Sequence, residues 1–332
     1  STINRSLRHA KVSSWPRASR PARCPVSLLF MQVEWGDAEQ KLTDRVSVLV
    51  GSANGGYPSG NTLLVRGASE TFVIDPSVDV IARGGVPARV DAVLNSHAHE
   101  DHMPGNGFFS DARVHIHEAD LEGARSIEGL MGVYGFRDEA VERAFKKTVV
   151  EDFNYAPRPD ACGFSDGDVF DLGGLSIESV HLPGHTRGHS GFRISDDVFF
   201  LSDIDLTGFG PYYGDAWSDL DDFEESLRRV RGEEAQWYVT FHQKGVIEGR
   251  ALFIELLDKF TSVIDRRHNA MLEFLAEPHS LDEMVDHRFI YRPHVKMEIV
   301  EPVEFRSAEL HVARMLARDE AVEFEPGRYR AA

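Results

Sequence analysis

Asn95-Ser96-His97-Ala98-His99-Glu100-Asp101-His102-Met103-Pro104-Gly105-Asn106 is the stretch that decides how this 332-residue chain is read. It follows a short apolar run at 92–94 that reads as a strand, and Pro104 suits the start of a helix. In extended backbone residues i and i+2 project to one side, so His97 and His99 can present their imidazoles to one cation. Asp101 and His102 fall where the chain turns into the helix, which aims them at a second position about 3.5 Å from the first. One loop can therefore serve two metal ions.

Four residues cannot close two coordination spheres, so further donors must come from elsewhere. Leu182-Pro183-Gly184-His185-Thr186-Arg187-Gly188-His189-Ser190, Phe200-Leu201-Ser202-Asp203 and Thr240-Phe241-His242 each follow an apolar, strand-like run. Strand ends gathered at one edge of the sheets would bring His185, Asp203 and His242 to the first loop. The other clusters, His115/His117 and His268/His279/His287/His294, lack that context and an Asp partner, so they read as surface or core residues. The glycine-rich segment 51–56 precedes a strand and has no following Lys-Ser/Thr, which makes it a hairpin loop rather than a phosphate cradle.

Around these motifs the chain alternates between short apolar runs and helical patterns. Runs at 46–50, 62–65, 71–74, 92–94, 114–116, 176–180 and 198–201 read as strands, and 119–126, 139–149 and 220–230 as helices. An α/β layered sandwich follows. Residues 118–160 are helical and aromatic-bearing, and read either as an insertion over the site or as a packing layer. Beyond 249 come a long helix at 251–275, helices at 281–287 and 308–318, and a hairpin at 321–330 with Pro326-Gly327 at its tip, the outline of a winged helix. The expected organisation is a disordered basic tail at 1–30, a catalytic domain at 31–248 and a helical, winged-helix-like domain at 249–332.

Composition limits the partners. With 42% hydrophobic and 27% charged residues the chain can build one large or two modest cores. A formal charge of -18 repels nucleic acid and anionic membranes. No apolar stretch approaches the ~18–20 residues that a membrane span requires. Cys24 and Cys162 are too few for a disulfide framework or a thiolate metal site, so a reducing cytoplasm is the expected compartment.

The set His97-x-His99-x-Asp101-His102, Pro183-Gly184-His185-Thr186, Asp203 after a strand and a late His242 resembles the metallo-β-lactamase superfamily of hydrolases over residues 46–242. The resemblance implies an αββα sandwich holding two metal ions, usually zinc, although the same donors accept iron or manganese. It implies that His97, His99 and His185 bind the first ion, that Asp101, His102 and His242 bind the second, and that Asp203 bridges them. Two departures stand out. Ser202 replaces the usual Gly before the bridging Asp, with Asp205 as a rival, and Phe241-His242-Gln243 replaces a Gly-His-Gly turn. His189 resembles a position beside the metals that supports without coordinating. Asp75 resembles a strand-end Asp that orients a ligand histidine, and reads equally as a turn residue before Pro76.

Two such ions lower the pKa of a shared water toward ~7, so a bridging hydroxide is expected to attack a carbonyl or phosphoryl centre, with Asp101 holding its metal and orienting the nucleophile. Gly208-Phe209-Gly210-Pro211-Tyr212-Tyr213-Gly214 resembles the glycine-rich aromatic loop of glyoxalase II type thioesterases, with Pro211 where those carry Arg. Tyr212 and Tyr213 are thereby candidate hydrogen-bond donors to a small-molecule substrate. Leu206 stands where quorum-quenching lactonases of the superfamily place Tyr. A winged helix after the hydrolase domain resembles the lactamase-β-2-like group, which includes RNA-cleaving enzymes. The acidity of Glu301, Glu304, Glu309, Asp319, Glu320, Glu323 and Glu325 opposes a nucleic-acid partner and favours a domain that shields the site and pairs subunits in a homodimer. Hydrolysis of an ester, thioester or related acyl substrate ranks first and phosphodiester cleavage second. A non-catalytic metal-binding module ranks last, since every ligand position is filled.

Overall fold

The central strand runs at 62–65, 71–74, 92–94 and 198–201 are apolar on both faces, so each sheet must be covered on both sides. In the computed structural model, which describes residues 33–332, that requirement is met by four layers; the basic tail expected at 1–30 lies outside the described residues. The first sheet holds β1 (Glu39–Lys41), β2 (Val46–Leu49), β3 (Thr62–Arg66), β4 (Thr71–Ile74), β5 (Ala92–Leu94), β6 (Arg113–His117) and β7 (Cys162–Phe164), side by side in that order. The second holds β8 (Val169–Asp171), β9 (Ser176–His181), β10 (Ser190–Ile194), β11 (Val198–Ser202), β12 (Trp237–Thr240) and β13 (Val246–Glu248), again as consecutive neighbours.

The period of two sorts the side chains between layers. Leu63 and Val65 point into the core between the sheets with Ile74, Leu94, Phe192, Phe200 and Phe241, whereas Leu64 and Val73 face the opposite way. Outside the first sheet lie α1 (Leu121–Arg125), α2 (Ile127–Tyr134) and α3 (Glu139–Glu151), which cover Val93, Val114 and Ile116. Because β6 and β7 are parallel neighbours, these helices form the crossover that joins them. Residues of the stretch 118–160 pack on the first sheet, and Tyr134 among them also lines the cleft. Outside the second sheet lie α4 (Leu220–Val230) and α5 (Arg250–Phe274), packed on Phe199, Leu201 and Tyr238. Within segment 51–56 of the β2–β3 hairpin, Ser52–Gly55 form a tight turn with Ala53 and Asn54 in the left-handed conformation.

The C-terminal region continues from α5 through β14 (His279–Ser280), α6 (Leu281–His287), α7 (Val300–Ala317), β15 (Ala321–Glu325) and β16 (Arg328–Ala331). Its three strands form a separate antiparallel sheet in the order β14-β16-β15. A small core of Met271, Leu275, Met284, Val312 and Met315 holds it together. No helix among the described residues is long and apolar enough to cross a membrane.

Candidate metal centre

Parallel pairing of β4 with β5 and of β11 with β12 brings the C-terminal ends of these strands to one edge. Asp75, residues 95–102, Asp203 and His242 stand there, and the β9–β10 turn adds His185. Asp75, Ser202 and Gln243 all have positive φ, a left-handed conformation costly for residues other than glycine. These kinks redirect the chain where each strand delivers its functional side chain.

Two donor clusters result. His97, His99, His185 and Asp203 form the first; Asp101, His102 and His242 form the second. In the first, His97 Nε2 lies 2.9 Å from His99 Nδ1, and His185 Nε2 lies 3.1 Å from each. Asp203 Oδ2 is 3.3 Å from His185 Nε2. Donors at ~2.0–2.1 Å from a tetrahedral zinc would be separated by roughly 3.3 Å, close to this spacing. In the second, His242 Nε2 lies 3.1 Å from Asp101 Oδ2, and His102 Nε2 lies 3.1 Å from Asp203 Oδ1. One oxygen of Asp203 thus faces each cluster.

The outer nitrogens explain why the inner ones point together. His99 Nε2 donates to Asp215 (2.9 Å), His185 Nδ1 to the Tyr212 carbonyl (2.9 Å), His102 Nδ1 to Asp75 (2.9 Å) and His242 Nδ1 to the Gly55 carbonyl (2.8 Å). Ser96 Oγ, itself donating to Asp75, accepts from His97 Nδ1 at 2.9 Å. Each ring then turns a lone pair toward its neighbours' lone pairs and toward a carboxylate, an arrangement that repels itself until a cation sits between them. His102 Nε2 and Asp203 Oδ1, although 3.1 Å apart, are buried and are not aligned for a hydrogen bond with each other or with any other group among the described residues, as expected of donors shaped for a metal.

The ionisation of the side chains fits a cation site. Burial and the neighbouring imidazoles hold His97 well below the usual histidine range. Burial would lower His99 too, but Asp215 beside it holds it up at about 9. His242 also stands at about 9, where burial is overridden by Asp203 and Asp101. Burial opposes ionisation of Asp203, yet His102 and His242 keep its carboxyl well below the ordinary range. A bound ion would displace the extra protons from the imidazoles.

Asp75 accepts from Ser96 Oγ at 2.6 Å and from Nδ1 of His102, a member of the second cluster, at 2.9 Å. His189 donates through Nδ1 to the Leu182 carbonyl and accepts the Asp203 amide through Nε2 at 3.3 Å, beside the first cluster but outside it. Asp205 belongs to neither cluster; its buried carboxyl is raised to about 6 by desolvation and by Asp203. Tyr212 lines the cleft with its hydroxyl on Asp215, 3.1 Å away. Tyr213 is a correction. Its side chain is 1% exposed and hydrogen-bonds His311 of α7 at 3.0 Å, so it packs beneath the loop and cannot meet substrate.

The metal-facing cleft has a volume of about 240 Å³. Tyr57, Tyr134, Tyr212, Tyr291, Phe209, Met297 and Ile299 supply its aromatic and apolar walls, with Glu100 and Asp205 as further acids. Tyr57 and Tyr134 both donate to Glu100, fixing the residue that lies between His99 of the first cluster and Asp101 of the second. Sequence reasoning missed Glu100, Asp215 and Asp120. Asp120 accepts from Ala98 N (3.0 Å), Thr186 Oγ1 (2.6 Å) and Gly188 N (2.6 Å), tying the two histidine loops together. Only Glu100 had a signal, its place inside the motif.

Paired imidazole–carboxylate clusters at one edge of an αββα sandwich define a class of metal-site protein. The chain belongs to the metallo-beta-lactamase superfamily, whose family model matches residues 55–242. It is 27% identical to the acyl-coenzyme A thioesterase MBLAC2 of Bos taurus across 46% of this chain and 61% of that one. It is 26% identical to the hydroxyacylglutathione hydrolase of Aeromonas salmonicida across 44% of this chain and 46% of that one. The matched part is therefore less than two thirds of either relative. A metallo-beta-lactamase family protein from Thermus thermophilus shares the fold with a TM-score of 0.66 at 20% identity, covering 88% of this chain and 100% of its own.

Proposed function

We propose that this protein is a hydrolase that uses two metal ions, zinc in the first instance, to cleave a small acyl substrate, with a thioester favoured. The observation that carries the reading is Asp203, placed between two clusters with one oxygen toward each. Of the relatives named above, one is by name an acyl-coenzyme A thioesterase and the other a hydroxyacylglutathione hydrolase, which supports the choice of substrate. Iron or manganese would suit the same nitrogen and oxygen donors. Bound ions supply Lewis acidity toward the acyl carbonyl and lower the pKa of the attacking water.

The chain's own part is positioning and exclusion of bulk water. Asp75, Asp215 and the Tyr212 and Gly55 carbonyls hold the imidazoles in one tautomer, so the donors need no reorganisation on binding. Aromatic walls seat the acyl group. In the net reaction water adds to the carbonyl carbon, the C–S bond breaks, and the products are a carboxylate, a thiol and one proton. The cleft's acids repel a phosphodiester, which keeps RNA cleavage second. One observation favours that second reading: the order α5-β14-α6-α7-β15-β16 with a three-stranded sheet is that expected of a winged helix.

Metal analysis of the purified chain, followed by parallel assays on an acyl-coenzyme A, an acyl-glutathione, a lactone, a β-lactam and single-stranded RNA, tests the reading. Two equivalents of metal and thioester turnover are expected. Absence of stoichiometric metal after supplementation, or cleavage of RNA alone, overturns it.

A further inference from the structure

The metal cleft has a neighbour of opposite charge. Phe209 and Tyr291, with ring centroids 5.6 Å apart, line the cleft on one side and a second hollow on the other. No Lys or Arg lines the cleft, whereas Arg266, Arg267 and Arg292 all line the second hollow. In a chain of formal charge -18 this is an exceptional concentration of positive charge.

Two elements build it. The first is α5, from which Arg267 is buried and donates to the carbonyls of Phe209 and Pro211, a fixed charge at the base. Arg266, one residue earlier, is exposed, and its guanidinium donates to Ser262. The second is the connection between α6 and α7, which carries Arg288, Arg292, His294 and Lys296 and no acid from 288 to 297. Glu304 pins it over the cleft by accepting from the amides of Phe289, Ile290 and Tyr291 at 2.7–3.0 Å, with a further contact of 3.2 Å to Ile290. Arg266, Arg267 and Arg292 form no ion pair among the described residues, and residues 1–32 contain no Asp or Glu that could supply one. Unspent guanidinium charge on a rim suits phosphate or carboxylate.

We propose that Arg266 and Arg292 bind the anionic half of an elongated acyl thioester, a thiol bearing phosphate or carboxylate groups, while its acyl half lies across the Phe209–Tyr291 wall in the metal cleft. This deepens the thioesterase reading and rests on it for the acyl half only. It also accounts for the division of charge: the acidic cleft receives the uncharged end, and the basic hollow receives the charged end.

The experiment compares the full metal-replete chain with the Arg266→Glu/Arg292→Glu variant on three thioesters of the same acyl group. Acyl-coenzyme A carries phosphates, acyl-glutathione carries carboxylates, and acyl-N-acetylcysteamine carries no charge. The variant is expected to raise KM about tenfold or more for one or both anionic thioesters, with kcat little changed and the uncharged thioester unaffected. The phosphate and carboxylate arms tell which anion is read. Equal effects on all three substrates, or none on any, overturn the proposal. Calorimetry with desulfo-coenzyme A and S-methylglutathione separates it from the thioesterase reading. If no thioester is hydrolysed but one of these ligands binds the parent chain and not the variant, the subsite stands and the proposed reaction fails. If neither ligand binds the parent chain, the subsite fails.

Discussion

Asp120 offers the sharpest test of how the metal loops are held. It is fully buried, and three donors from two loops converge on its carboxylate: the amide of Ala98 between His97 and His99, and Thr186 Oγ1 and the Gly188 amide just after His185. Burial raises its carboxyl above the ordinary range, against the pull of those donors. Asp120→Ala strands two buried amides at ~1–3 kcal/mol each, about 2–6 kcal/mol in all, while the hydroxyl of Thr186 can rotate. Removing a buried carboxylate gives part of this back, so a net loss of about 2–4 kcal/mol is expected. Asp120→Asn retains one acceptor and should lose about half as much. Loosening the loops should also weaken metal binding at the first cluster by roughly 10–100-fold. Urea denaturation of the chelator-treated chain reads the first effect, and competition against a calibrated zinc chelator reads the second. If Asp120→Ala stays within about 0.5 kcal/mol of the parent and binds metal unchanged, the carboxylate is not the tie between the loops.

Three further outcomes follow from single side chains. Asp203→Ala should reduce bound metal from two equivalents to one or fewer by elemental analysis, since both clusters lose an oxygen; retention of two equivalents would remove Asp203 as the bridge. Gly184→Ala places a Cβ 2.2 Å from the Phe223 amide nitrogen at φ +116° and should cost about 2–4 kcal/mol, read as a lowered melting temperature. His115, buried against Phe72 and Phe170, is depressed by desolvation and by Arg113 from 6.5 to about 4, so the unfolded chain takes up its proton first as pH falls. Stability from this group is whole above pH 6.5 and declines down to about pH 4. Between pH 7.5 and 5 the chelator-treated parent should lose about 2 kcal/mol more than His115→Gln, measured by denaturant titration at both values.

Local donors were legible and remote ones were not. His97, His99, Asp101 and His102 share one loop, and a two-residue alternation followed by a turn is enough to predict two metal positions. Strands buried on both faces, such as β3 and β11, betray themselves as apolar runs. By contrast, β10 begins Ser190-Gly191 and carries Arg193 to its partners Glu178 and Glu233, which blurs its pattern. Asp215 reaches His99 across 116 positions, and no spacing rule points to it. Tyr212 and Tyr213 show the limit of motif reading. Adjacent side chains in extended backbone leave on opposite sides, so one faces the cleft and the other the packing against α7.

The boundary expected near residue 249 from the sequence does not divide the centre. His99 and His185 are oriented by Asp215 and by the Tyr212 carbonyl, and Ser218 Oγ donates to the His185 carbonyl. The loop bearing these groups is held in turn from beyond 249. Arg267 of α5 grips the carbonyls of Phe209 and Pro211, His311 of α7 meets Tyr213, and Arg306 of α7 donates to the Ser218 carbonyl. Gly214 lies so close to α7 that a Cβ there would come within 2.4 Å of Val303. The orientation of two imidazoles in the first cluster therefore depends on helices that contribute no donor to it. A chain cut near 249 would keep all seven side chains of the two clusters and lose the packing that fixes two of them, so its first cluster should weaken before its second.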